Sequence, residues 1–182
     1  MRRGLALIWV AIVGFLLVIL AGLALDTSWA VLTSFDLQNA ADASSLAGAM
    51  KVLESDDAAR DKAIEVAAAN LAAGVSVELS RNEGNAPDGD IVLGSYDRDT
   101  GIFDPTASSY NAVRVVARRT DTSLGGPLEL FFGPILGVNT VNIERPAIAM
   151  VGGGTGAGLI VLDDQSECAL RISGTNDLIV TT

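Results

Sequence analysis

The sequence predicts an α+β protein: an N-terminal transmembrane helix extended outside the membrane, a second helix, and a small, mainly antiparallel β-sheet with one short packed helix. Three observations carry that expectation. Leu5 to Leu25 is an unbroken apolar run without a charge. Beyond it, apolar residues recur every three or four positions as far as Leu71, the spacing of helix faces. From Val75 the period changes to two and the apolar segments shorten, as they do in strands.

The apolar run comes first. A helix of about 20 residues spans roughly 30 Å, the hydrocarbon thickness of a bilayer. Arg2 and Arg3 precede the run, and no Lys or Arg follows until Lys51. That asymmetry puts the N-terminus in the cytoplasm and the rest of the chain outside it. A cleaved secretory signal is the competing reading. Its apolar region is about 7–15 residues long and ends in small residues. This run is longer, although Ala21-Gly22-Leu23-Ala24 offers the small residues.

Asp26 marks the outer membrane–water boundary, and Trp29 stands one turn beyond it, where an interfacial indole belongs. No Gly or Pro occurs between Asp26 and Leu46, so the helix is expected to continue outward. Leu32, Phe35, Asn39, Ala43, Leu46, Met50 and Leu53 fall on one face. Two uses fit that face. The helix packs on its own domain, or it forms a helix–helix seam between subunits, with Asn39 fixing the register.

Ser55-Asp56-Asp57 opens a second helix, with Ser55 as N-cap and two acids at the positive end of the dipole. Ile64, Ala67, Ala68 and Leu71 supply its stripe, and Gly74 is a natural C-cap. Val75, Val77 and Leu79 alternate with polar residues as a half-buried strand. Further strands are expected over 91–96, 102–103, 112–119 and 138–151, the last broken at Pro146. Gly125-Gly126-Pro127 opens a short amphipathic helix through Leu136.

Composition narrows the function. The formal charge is −10, which argues against nucleic acid and anionic lipid as partners of the exported part. There is no histidine, so the commonest general base and metal ligand is missing and a Ser-His-Asp or Cys-His arrangement is excluded. Gly154-Thr155-Gly156-Ala157-Gly158 lacks the Lys-Ser/Thr pair of a phosphate loop and reads as a linker. Asp88, Asp90, Asp97 and Asp99 lack EF-hand spacing and read as two acidic turns. Asp164-Gln165-Ser166 has Cys168 where a metal-adhesion motif needs its second Ser. No catalytic residue, cofactor site or metal site is expected. Cys168 is the single cysteine, and in an oxidising compartment an odd cysteine suggests an intermolecular disulfide or a partner further downstream. The short strands of 159–182 read as the start of an incomplete β-rich region.

Several segments resemble one family. Arg2-Arg3-Gly4, the apolar run, Asp26 and then Leu37-Gln38-Asn39-Ala40-Ala41-Asp42-Ala43 are similar to the N-terminal region of TadG-like Flp/Tad pilus-assembly proteins. Ile91 to Asp97, Asn111 to Val115, Leu130 to Gly137 and Val141 to Met150 extend the resemblance. It implies a bitopic protein of the bacterial cell membrane that serves assembly or anchoring of a Flp-type pilus. Its partners would be the membrane, other pilus-assembly or envelope proteins, and a second copy through the N-terminal helix. No catalytic residue is carried over. The absence of a Glu shortly after Gly4 separates the chain from processed pilins. The alternatives are a minor pilin-like filament subunit, or a surface adhesion protein whose binding domain lies beyond residue 182. The expected division is 1–25 cytoplasmic tip and anchor, 26–151 extracytoplasmic α+β domain, 152–158 linker, and 159–182 the β-rich start.

Overall fold

One helix organises the molecule. The computed structural model describes residues 2–152, with side chains from Leu7 onward. Cys168, the Gly-rich linker beyond Gly152 and the 159–182 segment lie outside the described residues. Helix α1, Arg2–Ala49, is continuous over 48 residues, about 72 Å at 1.5 Å per residue. Its first half is long and apolar enough to cross a membrane, and nearly all of its side chains from Leu7 to Leu25 are exposed. Its second half packs on the rest of the domain.

The packed face carries Thr33, Leu37, Ala40, Ala41, Ser44, Ser45 and Ala49, all buried. The hydroxyls of Thr33 and Ser44 donate to the carbonyls of Trp29 and Ala40 at 2.9 and 2.6 Å, so burial leaves neither unsatisfied. Small side chains on this face let helix α2, Asp56–Ala68, approach closely through Ala59, Ala63 and Ala67. The Ser55 hydroxyl caps α2 by accepting from the Ala58 amide at 3.0 Å.

The helix ends at Ala68, earlier than the sequence predicts. Leu71 and Ala68 are exposed and do not extend its stripe. Strands β1, Leu71–Ala72, and β2, Val75–Ser76, form a two-residue hairpin instead. Ala73 and Gly74 at its tip have φ of 55° and 77°, the left-handed pair of a type I′ turn. Gly74 is therefore a hairpin residue and not a helix cap.

A four-stranded antiparallel sheet follows, in the order β4-β3-β5-β8: β3 Ile91–Asp97, β4 Ile102–Asp104, β5 Ala112–Arg119 and β8 Ile143–Met150. The register sets Leu93, Val113 and Ala149 in one row and Ile91, Val115 and Ala147 in the next, facing α1 and α2. On the opposite face the Arg114 guanidinium lies 5.5 Å from the Phe103 ring centroid. Arg118 there pairs with Asp90 and Glu144. Beyond the end of β4, the free edge of β3 is closed by side chains. Asn85 accepts from the Leu93 amide and donates to its carbonyl, both at 2.8 Å. Asn82 donates to the Ile91 carbonyl at 2.8 Å.

The helix expected over 127–136 is mostly absent. Strands β6, Leu128–Glu129, and β7, Thr140–Val141, pair with each other, and only Gly133–Leu136 is helical, as a single 3-10 turn. The final strand is interrupted at Asn142, not at Pro146. Val151 donates to the Asn111 carbonyl at 2.8 Å, which makes Val113–Ala149 and Val115–Ala147 the hydrogen-bonded pairs. Pro146 sits between them, with its nitrogen facing off the outer edge, where a missing amide costs no ladder bond. Its carbonyl accepts from Gln38 Nε2 at 3.3 Å, and the Glu144 carbonyl accepts from Arg145 at 3.0 Å.

Candidate functional site

Two surfaces on α1 stand out. The first is a collar where the apolar half of the helix ends. The Asp26 carboxylate is buried and accepts from the backbone amides of Phe131, Phe132 and Gly133 at 2.8, 3.0 and 2.6 Å. In a helix running from Pro127 these amides would bond carbonyls four residues back. Here the carboxylate takes them, which is why the expected helix shrinks to its last turn. The amides belong to residues more than 100 positions away from Asp26, so the collar ties a distant loop to the top of the apolar span.

Glycines make the fit. A Cβ on Gly22 would lie 2.7 Å from Phe132 Cγ. One on Gly133 would lie 2.2 Å from the Val138 carbonyl oxygen, a backbone atom that cannot move aside. The Trp29 ring stands 5.8 Å from Phe131, tilted by 55°. Below the carboxylate, Ile135 and Leu136 of the loop and Phe15, Val18, Ile19 and Leu23 of the helix line an apolar hollow. In the sequence, Asp26 and Trp29 read as boundary markers and Gly22 as part of a small-residue stretch. Their use as a dock for residues 131–133 was not legible there. The one available signal was a loop, Leu130 to Val138, with no charged residue and five large apolar side chains besides Val138.

The second surface is the stripe of Leu32, Phe35, Asn39, Ala43, Leu46 and Met50. The structure does not pack it on its own domain. Phe35 is 64% exposed and Met50 74%, Leu32, Asn39 and Leu46 are exposed, and Ala43 is half-buried. The domain uses the adjacent face of small residues instead, because a helix lying close on a sheet excludes bulky side chains.

The acidic groups singled out in the sequence serve local structure. Asp90 accepts from the Ser80 amide at 2.7 Å and pairs with Arg118. The Thr100 hydroxyl and the Asp99 amide hold the Asp97 carboxyl below the usual carboxylate range. The Thr106 hydroxyl, at 2.7 Å, and its amide do the same for Asp104. Among the described residues no group of His, Cys, Asp and Glu is arranged to hold a metal ion.

A long helix with an apolar first half, whose second half carries a small antiparallel sheet, defines a pilus-related envelope protein once its relatives are considered. Residues 39–149 match the family described as "Putative Tad-like Flp pilus-assembly", and residues 4–51 match that described as "Putative Flp pilus-assembly TadE/G-like". The first match covers more than half of the chain, and the chain belongs to this Flp pilus-assembly family. The two matches overlap at residues 39–51, at the C-terminal end of α1. No curated protein and no solved structure matches the chain.

Proposed function

We propose that the chain is a non-enzymatic, single-pass protein of the bacterial cell membrane that serves assembly or anchoring of a Flp/Tad-type pilus. Its N-terminus is cytoplasmic, and the domain that follows Asp26 works outside. The observation that carries this reading is the continuity of α1, whose bare apolar half runs without a break into the packed half. A rigid connection of this kind transmits position from membrane to domain. The exposed stripe of Leu32, Phe35, Asn39, Ala43, Leu46 and Met50 is the surface for a second copy or for another pilus-assembly protein. Arg2 and Arg3 supply the orientation.

Protease added to spheroplasts is expected to digest the outer domain and to leave a short N-terminal fragment in the membrane. A protein released whole into the medium would overturn the anchor. A second reading, a minor pilin-like filament subunit, is favoured by the apolar surface along the length of α1. A mature N-terminus at Leu5 would support it over the first.

A further inference from the structure

We infer that the loop Leu130–Val138 dips into the outer leaflet beside α1 and is a second membrane contact of the extracytoplasmic domain. The inference rests on the anchor reading above. Four observations carry it. The loop has no charged residue from Leu130 to Val138. Four of its large apolar side chains are exposed: Phe131 is 66% exposed and Ile135 71%, with Leu136 and Val138 also exposed. Its position is fixed against the apolar span, with Phe132 on Gly22 and with Ile135 and Leu136 beside Val18 and Ile19. Val18 and Ile19 lie two turns below Asp26, about 10–12 Å along the helix axis. A helix that spans the bilayer carries these neighbours to the depth of the acyl chains.

The fourth observation concerns polar groups. Backbone amides and carboxylates at that depth lose water and need internal partners. The amides of Phe131, Phe132 and Gly133 and the Asp26 carboxylate satisfy one another. Val138 donates to the Gly133 carbonyl at 3.0 Å, Ile135 to the Phe132 carbonyl at 3.0 Å, and Gly137 to the Pro134 carbonyl at 3.1 Å. Pro134 has no amide to satisfy. The loop thus presents apolar side chains outward and spends its amides inward, as a lipid-facing segment must. The helix alone would leave the domain free to tilt, and a second contact fixes its height and rotation.

The test uses the full chain with Cys168→Ser, reconstituted in phosphatidylcholine vesicles, with one cysteine at Ile135, Phe131 or Glu54 carrying an environment-sensitive fluorophore. Glu54 is exposed beyond the far end of α1 and serves as the aqueous control. The label at Ile135→Cys is expected to be quenched by acyl-chain spin labels at least threefold more than the label at Glu54→Cys and to resist iodide, and the label at Phe131→Cys, level with the interfacial Trp29, to fall between the two. Iodide quenching equal to the control would place the loop in water and overturn the inference. Protection from both quenchers would mean that protein covers the patch, and would overturn it equally. Failure of the protein to float with the vesicles is a different result, because it removes the anchor itself.

Discussion

Asn85 shows how much one side chain holds. It has a φ of 51°, which Asn adopts at lower cost than Ala. Both of its amide atoms complete the ladder of Leu93, which is fully buried. Asn85→Ala leaves a buried donor and acceptor unpaired and strains the turn, together costing about 2–4 kcal/mol. The midpoint of thermal unfolding in detergent should fall by about 6–15 °C for a domain of this size. Asn85→Asp keeps the acceptor and should lose less. A shift under about 2 °C for Asn85→Ala would mean that the edge of β3 is closed by something else.

Helix α1 has two apolar faces, and the sequence distinguishes them only by bulk. Its existence, its length past Asp26, the Ser55 cap and the strands Ile91–Asp97 and Ala112–Arg119 were readable from period and caps, since those signals are local. Which face meets the sheet was not, because close approach favours Ala40, Ala41, Ser44 and Ser45 over the more conspicuous Phe35 and Leu46. The 3-10 turn at Gly133–Leu136 was unreadable for another reason: its competitor for the amides, Asp26, lies at the other end of the domain. The bare stripe gives a direct prediction. Phe35→Asp should leave the melting temperature of the single chain unchanged, since Phe35 is exposed. In a Cys168→Ser background it should abolish disulfide crosslinking between copies that carry Leu46→Cys. Undiminished crosslinking would show that the stripe is not where copies meet.

At the scale of the whole molecule, α1 is clamped in two places, by the Asp26 collar and by the sheet and α2. The collar depends on the absence of a side chain at Gly22. Gly22→Val should push Phe132 off the helix and raise amide exchange at Phe131, Phe132 and Gly133 by about tenfold or more, as local opening does. The sheet should keep its protection. Gly14→Val is the control, because a Cβ at Gly14 meets nothing within 4 Å. Equal exchange in the two variants would show that the loop is held without the Gly22 contact.

The outer edge of β8 has a consequence wherever chains are crowded together. Exposed strands recruit other strands, and crowded secreted chains fibrillise that way. Here Pro146 offers no amide, and Gln38 and Arg145 already occupy two outward carbonyls. A neighbour's strand would find a template with its middle rungs missing. Chains at high density are thereby steered away from runaway sheet growth along this edge.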